Sequence, residues 1–247
     1  MQPLPRNPLC PYCQTVLIDS ENKFNSRSVE HLIPNTVLTV ARTKRDEDFF
    51  ACRRCNSAKS HIDYVLGVVA KSQSANAQVA STALLSAVNS NDGRAERFIQ
   101  MAVDAVETSD GGAVALIPID GEELLQYMSY LGRGQYFRVR GRLFDQDAHV
   151  MIVNHINKEV LLAIEVDYGM AHGTNPFKDL QENKYAETYS NGDCIIFSKN
   201  DSYVFLFHSY TAIIIKIKRH NAKNVERSRK SAEDMLRNFP FGQVRAV

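Results

Sequence analysis

Four of the five cysteines stand in two close pairs, Cys10-Pro-Tyr-Cys13 and Cys52-Arg-Arg-Cys55, and this spacing constrains the chain more than any other feature. A C-x-x-C step lets two thiolates face one metal ion from a tight knuckle, and two such steps complete a tetrahedron. The spacing therefore predicts a structural Zn²⁺ held by Cys10, Cys13, Cys52 and Cys55. The 38 residues between the pairs exceed the usual zinc-finger gap, so some structure must be inserted between the knuckles. Disulfides are the weaker reading, because nothing points to an oxidising compartment. A redox C-x-x-C would explain one pair but not two. Cys194, in Cys194-Ile-Ile-Phe, reads as a buried thiol in a strand.

At 247 residues the chain has room for one or two domains. Its 44% apolar and 23% charged residues exclude a disordered composition. Twenty-nine basic residues against 28 acidic leave a net charge of +1, so bulk charge favours neither a nucleic-acid coat nor a trap for acidic substrates. The longest apolar runs, such as Val65–Ala70, fall far short of the ~18 residues of a membrane span. Met1-Gln-Pro-Leu-Pro-Arg leads into no apolar signal core. The expectation is a cytoplasmic chain without membrane contact.

Residues 1–61 hold too few apolar side chains for a core of their own, as suits a small metal-stapled unit. Ile62, Val65, Leu66, Val69 and Ala70 then take up helical spacing, and an Ala-rich stretch extends the helix to Val88. Asn89–Gly93 is a break. Ala95, Phe98, Ile99, Ala102, Val103 and Val106 repeat the spacing until Ser109–Gly112. A short strand, Ala113–Ile117, and a helix near Glu122–Leu131 lead into Gly132-Arg-Gly-Gln-Tyr-Phe-Arg138. Beyond His149 the pattern predicts strands at Val150–Val153, Val160–Val166, Cys194–Phe197, Tyr203–Phe207 and Ala212–Ile217, with a hairpin turn at Asn200–Ser202. Gly169–Asn191 reads as a long loop and Asn224–Phe239 as a closing helix. The fold class predicted is α+β: a metal-braced unit at 1–65, a helical region at 66–110, and a mixed α/β region at 111–247 whose sheet is mostly antiparallel.

Between the knuckles lies Ser28-Val-Glu30-His31-Leu-Ile-Pro34, and the second knuckle runs directly into Asn56-Ser-Ala-Lys59. The order C-x-x-C, E-H-x-I-P, C-x-x-C-N-x-x-K resembles the HNH endonucleases of the ββα-metal type, over about residues 10–63. The resemblance implies a hairpin and helix braced by the four-cysteine zinc. It also implies His31 as the general base and Glu30 and Asn56 as oxygen ligands of a catalytic Mg²⁺ or Mn²⁺, with His61 as a further candidate ligand. Lys59, Arg53 and Arg54 become candidate phosphate contacts. The chemistry suits such a set: hydrolysis of a phosphodiester needs an activated water and a cation on the charged oxygens, and histidine can accept a proton near neutral pH.

Two points are open on sequence. Glu30 and His31 are adjacent, so on a strand they would face opposite ways, and the resemblance implies that local twisting or the strand's end makes them converge. The family's middle Asn has no counterpart between Thr36 and Cys55, where Asp46 and Asp48 are the available substitutes for a partner to His31. Asn56 also fits a helix cap, and Asp63 returns to its face about 10 Å along the helix axis.

Charge is clustered despite the neutral total. Seven cations fall between Lys216 and Lys230, and Arg133, Arg138, Arg140 and Arg142 form a second group. Either group suits phosphate contacts or a solvated face. The functional expectation is a DNA endonuclease, in bacteria one serving defence against foreign DNA. The C-terminal region would bind substrate, a protein partner or a second copy. The competing expectations are a non-catalytic zinc-binding interaction module and an RNA-directed nuclease.

Overall fold

The computed structural model describes residues 7–21, 23–40, 48–72, 74, 76–90, 94–107, 113–114, 118–208 and 211–238. Strands β1 (Arg27–His31) and β2 (Asp48–Cys52) pair antiparallel and lead without a linker into helix α1 (Arg53–Ser72). Helices α2 (Ala77–Val88) and α3 (Arg94–Val103) follow, then the two-residue strands β3 (Val106–Glu107) and β4 (Ala113–Val114) and the long helix α4 (Gly121–Arg140). The remainder is β5 (His149–Ile156), α5 (Lys158–His172), α6 (Pro176–Gln181), β6 (Ala186–Tyr189), β7 (Cys194–Lys199), β8 (Ser202–Phe207), β9 (Thr211–Arg219) and α7 (Ala222–Asn238). The last five strands form one antiparallel sheet in the order β5-β9-β8-β7-β6. The protein is α+β, with a ββα unit and an antiparallel sheet as expected. No helix among the described residues is long and apolar enough to cross a membrane.

Helix α4 ties the unit to the sheet. A capping box starts it, with Asp120 accepting from the Glu123 amide and Glu123 reaching back, and Gly141 in the left-handed region ends it. Leu124, Tyr127, Met128, Leu131 and Tyr136 are buried along it. A Cβ at Gly132 would lie 2.6 Å from Met151 Sδ of β5, and one at Gly134 2.8 Å from Leu32 Cδ1 beside β1. The Gly132-Arg-Gly134 step is thus where the helix is squeezed between sheet and hairpin, and a larger residue there would have to displace Met151 or Leu32. The predicted helix 122–131 accordingly runs on through this segment to Arg140.

One buried cluster extends from Cys10 to Met235. The expected division at 65/66 falls inside α1, and the three expected regions share this core. Of the helical stripe, Ile62, Val65, Leu66, Val69 and Ala70 are all buried, but the helix begins nine residues earlier, at Arg53. In α3 only Ala95 and Phe98 are buried, while Ile99 and Val103 are exposed; Val106 belongs to β3. The predicted break at 89–93, the stop at 109–112, the strand at 113–117 and the end of the last helix at 239 lie partly or wholly outside the described residues.

Two expectations are corrected. Val160–Val166 is helix, not strand. Asn157 caps it by accepting from the Val160 amide at 3.1 Å, and its apolar side chains are largely exposed instead of filling a sheet. The local cap and the Leu-Leu-Ala run outweigh the β-branched residues. Gly169–Asn191 is no loop either: it holds the end of α5, then α6 with Asn175 as its cap, then the edge strand β6. The Asn200–Ser202 hairpin turn is present, with Asn200 and Asp201 at φ 51° and 56°. Cys194 is a fully buried thiol at the start of β7.

Candidate active site and metal centre

The metal centre is built from two local turns. In the first, the Gln14 amide bonds Cys10 O at 2.8 Å and the Cys10 amide bonds Thr15 O at 2.9 Å, with Gln14 at φ 61°. The second is the junction of β2 and α1, where the Cys55 amide points at Cys52 Sγ (3.4 Å) and the Cys52 amide at Cys10 Sγ (3.3 Å). The four Sγ atoms of Cys10, Cys13, Cys52 and Cys55 lie within 4.8 Å of one another. Thiolates about 2.3 Å from a tetrahedral zinc would stand about 3.8 Å apart, so the spacing fits such an ion, and the inward amides supply the hydrogen bonds that thiolate ligands accept. The thiols already share charge. A hydrogen bond from Cys55 holds Cys10 down to about 5, whereas burial pushes Cys52 up to about 11. These four cysteines can hold a metal ion, and Cys194 is not among them.

His31 ends β1, and the hairpin register sets it opposite Asp48, the first residue of β2. Its Nδ1 lies 2.8 Å from Asp48 Oδ1, with the Asp48 side chain fully buried and the imidazole 37% exposed. A carboxylate only accepts, so Nδ1 carries a proton, and in the neutral imidazole the lone pair is then on Nε2. No residue among those described takes Nε2 as a partner. Of Asp46 and Asp48, it is Asp48 that the structure places against His31; Asp46 lies outside the described residues.

Glu30 does not converge with His31. Strand alternation turns it inward, where its Oε1 meets Lys59 Nζ at 3.0 Å and its side chain is 1% exposed. Lys59 Nζ also bonds both carboxylate oxygens of Asp63 at 2.9 Å and the carbonyl of His31 at 3.1 Å. The ammonium lies over the Tyr127 ring, 5.5 Å from its centroid. Desolvation pushes the Glu30 and Asp63 carboxyls up, with Lys59 pulling against it. Desolvation also works against the Lys59 charge, but Asp63 and Glu30 outweigh it and the ammonium holds its proton more firmly than usual. Lys59 is fully buried and cannot meet a phosphate, so that expectation is corrected. It holds the backbone of His31 from below. This cluster was the main feature missed on sequence, although a Lys-Asp pair at i, i+4 interleaved with the buried Ile62 and Leu66 signals it.

Asn56 sits one turn into α1 and donates from Nδ2 to Ser28 Oγ (2.5 Å) and Val29 O (2.9 Å), pinning the helix to β1. Neither bond uses its Oδ1. It caps no helix, since α1 already begins at Arg53. His61 lies away from Asn56. It acts on Glu123 at the start of α4, whose carboxyl resists the upward push of burial because Arg97 and, more weakly, His61 favour its charge. Arg53 and Arg54 are exposed on the first turn of α1, with Arg54 beside the Cys13 thiol and over the Phe24 ring.

The second basic group is largely spent inside the protein. Arg133 donates to Tyr12 O, Arg138 pairs with Glu187, and Arg140 meets Asp201 at 2.7 Å. Lys216, Lys218, Lys223, Arg227 and Lys230, on β9 and α7, remain exposed. Tyr136 and Phe137 pack edge-on against Phe144 and Phe49 as part of the core.

The C-terminal sheet grips the loop that leaves β1. Asp193 Oδ2 accepts from the Thr39 amide and hydroxyl at 2.5 Å each, Ser190 exchanges bonds with Val40, and His208 Nε2 donates to Val37 O at 2.8 Å. Ser190 and His208 both adopt positive φ (51° and 49°), a strain tolerated where the surroundings fix it.

The charge cluster yields one direct expectation. Lys59→Met leaves Glu30 and Asp63 buried without a counter-charge and should cost about 3–5 kcal/mol of stability at pH 7. Both carboxyls are raised in the folded state, so the folded protein keeps protons that the unfolded chain releases, and the deficit grows as pH rises above the ordinary carboxylate range. Urea unfolding at pH 5 and pH 7 should show the variant closer to the parent at pH 5. An equal, small loss at both pH values would refute the cluster's role. No family model, curated protein or solved structure matches the chain, so its function is read from the arrangement of these residues.

Proposed function

We propose that this protein is a metal-dependent endonuclease of the HNH type that hydrolyses DNA phosphodiester bonds. The observation that carries the reading is the cross-strand pair of His31 and Asp48, a half-exposed imidazole oriented by a buried carboxylate on a hairpin whose far end meets a four-cysteine cluster. In this reading Nε2 of His31 takes the proton of the attacking water, while Asp48 fixes the tautomer and favours the imidazolium that forms. The Lys59 bond to the His31 carbonyl keeps the strand end in place.

A catalytic Mg²⁺ or Mn²⁺ would neutralise charge on the scissile phosphate. The donor set is incomplete as it stands: Asn56 offers one oxygen, but Glu30 is enclosed with Lys59. The exposed lysines and arginines of β9 and α7, with Arg53 and Arg54, supply the phosphate contacts, and defence against foreign DNA is the setting that suits the motif. Supercoiled plasmid incubated with Mg²⁺ or Mn²⁺ should be nicked, and chelator should stop it. The enclosure of Glu30 favours a second reading, a non-catalytic nucleic-acid-binding module, which predicts a gel shift with no nicking under either metal. Preferential cleavage of structured RNA would instead make RNA the substrate.

A further inference from the structure

Between α1 and α2, beside the loop that follows β1, opens a cavity of about 400 Å³, within the range of small-molecule sites. Val68, Val79, Ala83 and Ala87 give it an apolar wall, and Lys71 projects into its lining. Lys71 is half-buried, and no hydrogen bond or salt bridge joins its ammonium to another of the described residues. Burial pushes its pKa down, and the Asp193 charge offsets this only in part. A partly desolvated ammonium on an apolar wall is unfavourable unless its charge is fully compensated, and Asp193 compensates it only in part. Thr82 Oγ1 accepts from Gln78 Nε2 at 3.3 Å, which leaves its own hydrogen to donate at the rim.

We propose that this cavity binds a small organic anion, a molecule with an apolar or aromatic body and one negatively charged group that pairs with Lys71. The body would lie on Val68, Val79 and Ala83, and the charged group would give the Lys71 ammonium a direct hydrogen-bonding counter-ion. Thr36 and Thr39, which also border the cavity, belong to the segment between His31 and Asp48. An occupant would therefore touch the segment that the C-terminal sheet grips. The proposal does not depend on nuclease activity.

Its test uses anilinonaphthalene sulfonate, which has such a body and such a charge, followed by fluorescence titration against the full chain. The expected result is saturable binding of one equivalent. Lys71→Met should weaken it by about tenfold or more, since a charge-assisted bond is lost. Ala83→Phe, which fills the cavity, should abolish it, with melting temperature and metal content unchanged. Should Ala83→Phe fail to fold, Ser86→Phe at the exposed rim replaces it. Absence of saturable binding, or binding that survives the filling variant, would overturn the site. Binding blocked by filling but indifferent to Lys71→Met would overturn the anionic class of the ligand.

Discussion

His31→Ala should reduce metal-dependent plasmid nicking by at least the 10²–10⁴-fold that a positioned general base contributes, with metal content and melting temperature held near those of the parent. The imidazole is 37% exposed and its one bond is to Asp48, so its loss removes little packing. Asp48→Asn should lower the rate within the same range by a different route. An amide opposite Nδ1 can present its NH₂ group, which favours the tautomer with the proton on Nε2 and removes the lone pair that accepts from water. Because Asp48 is buried, the variant's melting temperature must be read alongside its rate. Parent-like nicking by His31→Ala would end the proposed mechanism, whatever the protein then proves to bind. If Asp48→Asn alone kept full activity, His31 would be the base without an orienting partner.

The metal centre carries the second large effect. Cys10→Ser should lose the bound metal and lower the melting temperature by more than about 10 °C. Structural zinc supplies much of the folding free energy of small units, and each kcal/mol shifts the transition of a chain this size by about 2–4 °C. Cys10 is fully buried, and its sulfur receives the Cys52 amide, which joins the first knuckle to the second. The informative control is Cys194→Ala. Cys194 is also fully buried, but it stands in β7 away from the four clustered thiols. Elemental analysis should find the metal retained in Cys194→Ala and absent from Cys10→Ser. Equal metal content in the two variants would remove the four-cysteine site.

Nuclease activity and metal-dependent folding can fail separately. A chain that keeps its metal and fold but never nicks DNA would be the binding module that the enclosed Glu30 favours. In that case the Lys59 cluster would be a device for rigidity, fixing the strand end for recognition.

The local features were legible in the sequence because short-range chemistry decides them. The C-x-x-C knuckles, the helical stripe of Ile62 to Ala70, the Asn200–Ser202 turn and the buried Cys194 follow from spacing and turn propensity within a few residues. Strand alternation sets Glu30 and His31 on opposite faces, and the structure keeps them there, against the convergence that the resemblance implied. The β-branched residues of Val160–Val166 favour a strand, but the Asn157 cap starts a helix there. Pairings across long stretches of chain were decided only by tertiary structure. His31 and Asp48 meet because the hairpin register places 31 opposite 48. Lys59 becomes a buried support instead of a phosphate contact because α1 packs its face onto β1. Asp193 reaches Thr39 across 154 positions because the sheet docks there. Residue type and spacing determine which groups a segment can offer, such as four thiols for a metal and a histidine at a strand end. Which of those groups are exposed, paired or enclosed depends on the docking of distant surfaces, whose energy no local pattern contains.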